Sequence, residues 1–174
     1  MSDEQLSHMF AQFLQTSADG FVWGVEQVPS ERRAIQPLKP FGEWPVARHV
    51  LHMGYYERQI ALPSMRQWID EPLPDLAGYD EDQAWEAVRE QDLADLLAEF
   101  RAVRAEQVAL ARRFDEGRWA EQQETVWGRV SLRWVVSKTY QHTAEHTHDV
   151  LSIALFWDFY LARQQRDEAA TASN

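Results

Sequence analysis

The 174-residue chain has no cysteine, which excludes disulfides, thiolate zinc sites and a cysteine nucleophile together. A reducing cytoplasm is the compartment expected for such a chain. Basic residues are scarce: 17 Lys and Arg stand against 28 Asp and Glu, a formal net charge of −11, and the acids are spread along the chain. Binding to phosphates needs a positive surface, so nucleic acid is not an expected partner. No apolar run approaches the roughly 20 residues that cross a bilayer. Met1-Ser2-Asp3-Glu4-Gln5 also lacks the basic-then-apolar order of a secretory signal, and no membrane partner is expected. There is no internal repeat.

Aromatic residues, in contrast, are plentiful: eight Trp, eight Phe and five Tyr. That is more than a solvated surface carries singly, and it points to an aromatic-rich core together with an interface or pocket. The chain is long enough to bury a core without disulfides or a structural metal, so a metal found here would serve chemistry and not folding.

Helical periodicity dominates. Ser2 with Gln5 reads as a capping box ahead of Leu6, Met9, Phe10, Phe13, Ser17, Phe21, Val25 and Val28, which predicts a helix over about 3–27. Gly20 and Gly24 weaken its last turns by roughly 1 kcal/mol each relative to alanine. Residues 29–45 hold four prolines and read as a connection. Trp44-Pro45 then opens a second helix to about Asp70, with Pro63 as an interior kink. Its apolar residues fall on two faces, Val46, Val50, Met53 and Ile60 against Leu51, Tyr55 and Leu62, so it is buried on two sides.

After a turn-rich link over 71–79, Asp80 with Gln83 caps a helix that is either continuous or jointed near Glu90-Gln91. Its main part carries Leu93, Leu96, Leu97, Phe100, Val103, Gln107, Leu110 and Phe114, with Gly117 as the expected C-terminal cap. Residues 118–130 read as a loop with a short extended piece around Gly128. Ser131 caps a last helix to about Arg166, whose inward stripe is Val135, Thr139, His142, His146, Val150, Ile153, Trp157 and Tyr160. The expectation is an all-α four-helix bundle with a long connection between its second and third helices and no sheet. It forms one domain over 1–166, with 167–174 as a disordered Ala/Thr/Ser/Asn tail.

Within Gln141-His142-Thr143-Ala144-Glu145-His146-Thr147-His148-Asp149-Val150 stand three of the six histidines. Residues four apart on a helix share a face, so His142 and His146 are able to grip one metal ion from a single helix. Two such histidines are more often surface or core hydrogen-bonding residues. Their place on the inward stripe raises the metal reading, because buried imidazoles need partners. A third ligand has to come from elsewhere. In the second helix His49 sits near one apolar face and His52 between the two, and periodicity alone does not choose between them.

Trp44-Pro45-Val46-Ala47-Arg48-His49-Val50-Leu51-His52 resembles the Trp-x7-His entry to the second helix of the DinB-like, or YfiT-like, superfamily. Gly128-Arg129-Val130-Ser131 is similar to the family's glycine-containing turn, and His142-x3-His146 falls where its last helix carries two metal-binding histidines. The resemblance implies a four-helix bundle with His52, His142 and His146 as ligands, and leaves His49 as a structural neighbour. His148 and His8 are expected at the surface. Many relatives have glutamine where this chain has Asp149, which leaves that residue open as a fourth ligand, as a carboxylate orienting an imidazole, or equally as the partner of a basic side chain in an ion pair. Glu57 and Glu145 read as acid/base groups or, more commonly, as solvated or salt-bridged helix carboxylates.

Three neutral imidazoles leave a divalent ion charged and with open positions. Such an ion lowers the pKa of water to about 7 or binds a thiol as thiolate. Zinc or nickel is favoured, with iron or manganese as alternatives. The functional reading is a metal-dependent transferase or hydrolase acting on a small molecule; the resemblance to the DinB-like superfamily implies thiol-dependent S-transfer in some members, and with it a low-molecular-weight thiol as partner. The alternative is a non-enzymatic metal- or ligand-binding stress-response module. A homodimer is expected from the aromatic excess and the resemblance. Tyr56, Trp127 and Trp134 are candidates to line the mouth, with ordinary packing the default reading for each.

Overall fold

The computed structural model describes residues 3–114 and 117–172. Ser2, the expected cap of the first helix, lies outside them. Helix α1 spans Asp3–Gln27, matching its apolar spacing. Two short turns cross the proline-rich connection, and α2 runs over Val46–Tyr56. Pro45 precedes the first helical residue, and its carbonyl accepts from the amides of Arg48 at 2.9 Å and His49 at 3.3 Å.

The second helix reaches Ile69, but not as one uniform rod. A π turn over Glu57–Ala61 separates α2 from α3, Leu62–Arg66. Proline lacks an amide hydrogen and its ring collides with the carbonyl four residues back, here that of Gln59. The wider turn just before Pro63 removes that collision without breaking the helix. Asp70, at φ 64°, ends it.

The next segment is jointed. Asp80 accepts from the amide of Gln83 at 2.9 Å and starts α4, Glu81–Val88. Asp92 accepts from Ala94 at 2.9 Å and starts α5, Leu93–Ala111. Gly117 is not the cap of α5: the carbonyls of Val108 and Leu110 are taken up by the amides of Arg112 and Arg113, and Gly117, at φ 84°, belongs to the following turn.

The stretch expected as a loop without a sheet folds into a hairpin, β1 Gln122–Thr125 and β2 Gly128–Ser131, paired antiparallel with Thr125 opposite Gly128. Val126-Trp127 forms the tip. Gly128 takes up the left-handed conformation, φ 85°, and Thr125 Oγ1 donates to its carbonyl at 2.8 Å. Helix α6 then runs over Leu132–Ala172, with Ser131 Oγ accepting from Trp134 at 3.3 Å. It continues past Arg166 through much of the segment expected as a tail.

Helices α1, α2 with α3, α5 and α6 make the bundle, α1 packing on α5 and α6, and α2 on α5. The core has two parts. Phe10, Leu14, Met65, Trp68, Trp119 and Val135 centre one. Phe21, Val50, Met53, Phe100, Val150 and Ile153 centre the other, and the histidines border it. Among the described residues no helix is long and apolar enough to cross a membrane.

Candidate metal centre

Along α6 the hydroxyls of Thr139, Thr143 and Thr147 each donate to the carbonyl four residues back, at 3.0, 2.9 and 2.7 Å. These self-satisfied groups form a polar stripe that enters the core at little cost, and His142 and His146 project beside it. From α2, one turn apart, come His49 and His52. Ligand atoms of His52, His142 and His146 lie within 4.8 Å of one another.

His52 Nε2 stands 2.9 Å from His142 Nε2. Two nitrogens each about 2.0–2.1 Å from one ion stand roughly 2.9–3.4 Å apart at angles of 90–110°. The observed spacing suits a shared cation. On its other side His52 Nδ1 meets Glu81 Oε2 at 2.7 Å, and the Tyr79 hydroxyl donates to the same oxygen at 3.1 Å. Burial pushes the Glu81 carboxyl up, but the hydrogen bond and charge of His52, aided by Tyr79 and Arg48, outweigh it and hold the group below its ordinary value. An ionised Glu81 has only acceptors to offer, so this contact is a hydrogen bond when His52 carries a proton on Nδ1.

Burial, with the neighbouring His52 second, lowers His49 to about 4, His142 to about 3 and His146 to about 2. All three are neutral at pH 7, as metal ligation requires. Nδ1 of His142 has no hydrogen-bond partner among the described residues.

His49 is closer to the site than its expected structural role suggests. It is 5% exposed, and its Nδ1 lies 2.9 Å from Nδ1 of His146. Asp149 Oδ2 stands 3.6 Å from the same nitrogen. His49, His146 and Asp149 therefore form a second convergent set sharing His146. His8 and His148 are exposed, as expected. Glu57 is salt-bridged to Arg104, and Glu145 is exposed.

Trp44 walls the cluster, its ring 5.0 Å from His52, 5.4 Å from His49 and 6.1 Å from His146. The Arg48 guanidinium lies over the same indole, 4.8 Å from its centroid. Tyr56 packs on His142 at 4.2 Å, and its buried hydroxyl has no partner among the described residues. Trp127 and Trp134 instead pair with each other at 5.5 Å, and Trp127 packs on the core cluster of Phe10 and Trp119.

Glu81 is the site residue that sequence reasoning missed. An acid in the first turn after an aspartate cap is ordinary helix chemistry, and only the tertiary fold carries it to His52.

No curated protein matches the sequence. Among solved structures, the crystal structure of a mutant mycothiol-dependent maleylpyruvate isomerase is similar, with a TM-score of 0.66 at 14% identity over 86% of this chain. That likeness is one of fold, and this chain spans only 63% of the isomerase chain. A family model of the DinB superfamily matches residues 1–150, the stretch that holds every histidine of the cluster, and the chain belongs to that superfamily.

Proposed function

We propose that this protein is a divalent-metal-dependent enzyme using His52, His142 and His146 as its ligands, and that it catalyses S-transfer or hydrolysis on a small molecule. The observation that carries the reading is the convergence of three imidazole donors from two helices within 4.8 Å. A bound ion would supply positive charge that lowers the pKa of a water or thiol. Zinc or nickel suits an all-imidazole set best.

The protein's own groups have separable tasks. Glu81 holds the proton of His52 away from the ligand face. His49 and Asp149 crowd Nδ1 of His146 and orient that ring. Trp44 shields the imidazoles from water, and the Arg48 guanidinium, which lies over its ring and pairs with Asp82, holds that indole in place. The Tyr56 hydroxyl, without a partner among the described residues, is held protonated by burial and by the charge of Glu57, so it is a donor available to a ligand.

A low-molecular-weight thiol as co-substrate is supported by the named thiol dependence of the similarly folded isomerase. Exposed Trp23, Leu155, Phe156 and Phe159 on α1 and α6 support a homodimer.

Elemental analysis of protein purified without added metal tests the centre, followed by turnover assays on a panel of thiols and electrophiles. Stoichiometric metal with turnover is expected. Substoichiometric metal, with no divalent ion raising the melting temperature, would sink the proposal. Stoichiometric metal without turnover would favour the non-enzymatic binding module.

A further inference from the structure

The connection after α3 folds back so that α4 lies against α2. No residue of α4 is fully buried, and only Trp85 and Val88 pack against the core from it. What fastens it is largely polar and gathered at its first turn. His52 Nδ1 meets Glu81 Oε2 at 2.7 Å, Arg48 pairs with Asp82, and the Tyr55 hydroxyl accepts from the Asp80 amide at 3.3 Å. The Tyr55 and Tyr79 rings pack beside them at 5.1 Å. The His52 and Glu81 side chains are 13% and 15% exposed, so their contact is sheltered.

A neutral imidazole carries one N–H, and its position decides which nitrogen is able to ligate. When Nδ1–H donates to the Glu81 carboxylate, the lone pair is left on Nε2, the atom 2.9 Å from Nε2 of His142. In the other tautomer an N–H would point into the ligand set. A carboxylate partner also raises the basicity of the ligating nitrogen.

We infer that Glu81 is a positioning residue that locks His52 in the Nδ1–H tautomer, so that metal retention depends on the docking of α4. The inference rests on the metal-centre reading and adds to it a residue from outside the histidine motifs. The coupling runs both ways: whatever α4 contributes to metal affinity, bound metal returns as tighter docking of α4.

Three measurements on wild type, E81Q and E81A test it. Nitrogen-15 NMR of the metal-free proteins reads the tautomer, a chelator competition reads zinc affinity, and hydrogen exchange reads residues 81–88 with and without zinc. Wild type and E81Q are expected to show the Nδ1–H form, since an amide oxygen still accepts that proton, and E81A a mixture. Zinc affinity is expected to fall roughly 10- to 100-fold in E81A and less in E81Q. Zinc should slow exchange across α4 in wild type and not in E81A. Wild-type tautomer and affinity in E81A would overturn the role of Glu81 alone. Wild type that takes up no zinc would overturn the metal reading and, with it, the coupling to α4.

Discussion

Arg104 and Glu57 meet as a bidentate ion pair with side chains only 1% and 0% exposed. The same guanidinium donates to the Leu14 carbonyl at 2.7 Å, Ser17 Oγ at 2.8 Å and Thr143 Oγ1 at 2.8 Å. One side chain of α5 thereby ties together α1, the π turn and α6, directly beside His142. Burial holds the Glu57 carboxyl above its ordinary value, and the charge and hydrogen bonds of Arg104 offset this only in part. Removing one partner strands the other in the core. Arg104→Met should therefore cost about 3–5 kcal/mol in urea unfolding, whereas the double variant Arg104→Met with Glu57→Met should recover most of the loss. A double variant as unstable as the single one would show that the pair is needed for more than charge balance.

His52 and His49 are separated by their roles. His52→Ala removes a proposed ligand, and His49→Ala removes a neighbour of His146. Zinc affinity should fall at least 100-fold in the first and about tenfold in the second, by competition with a chromophoric chelator. Equal losses would refute the assignment of His52 over His49.

Trp44 reports on the site. Its ring is 5.0 Å from His52, near enough for a quenching ion such as Cu²⁺ to reduce its emission. Titration with Cu²⁺ should quench wild type strongly and Trp44→Phe much less, although seven tryptophans remain from the eight. Undiminished quenching in that variant would place the ion elsewhere.

Acid should destabilise the metal-free protein. The ordinary histidine value is 6.5, and the folded values of His49, His142 and His146 are about 4, 3 and 2. Above pH 6.5 both folded and unfolded forms are neutral, and nothing changes with pH. Below it the unfolded chain takes up protons that the folded site refuses, so stability falls as pH falls. By pH 5 each of the three removes up to roughly 2 kcal/mol. Urea midpoints between pH 7 and 5 measure this, and His146→Ala should flatten the profile.

Tyr56→Phe should leave the metal-free protein as stable as wild type or slightly more so. Its hydroxyl is buried without a partner among the described residues, and deleting such a group relieves a desolvation cost of about 1 kcal/mol. A clear loss in thermal midpoint would reveal a partner for that oxygen.

Most of the bundle is legible in the sequence because its signals are local. The spacing of Leu6 to Val28 marks α1, and the Asp80/Gln83 pair marks the start of α4. The stripe from Val135 to Trp157 likewise identifies the buried face of α6. The hairpin is not legible, because Val126-Trp127 lacks the Asn-Gly or Asp-Gly signature of a two-residue turn. Gly117 has the look of a cap because glycine after an apolar run often is one, yet two arginine amides close α5 first. At the site, the i, i+4 pair is visible on one helix. The His52–Glu81 contact spans 29 positions and has no local trace.

The π turn ahead of Pro63 fits five residues where a regular helix would need about one fewer, and each residue of an α-helix advances by about 100°. The two halves of the second helix are therefore out of phase. That offset lets His49 and His52 face α6 while Met65 and Trp68, both within 1% of full burial, stay in the core beyond the turn. Deleting a residue such as exposed Arg58 would bring the halves into phase, and the chain would then have to choose between its histidines and its tryptophan.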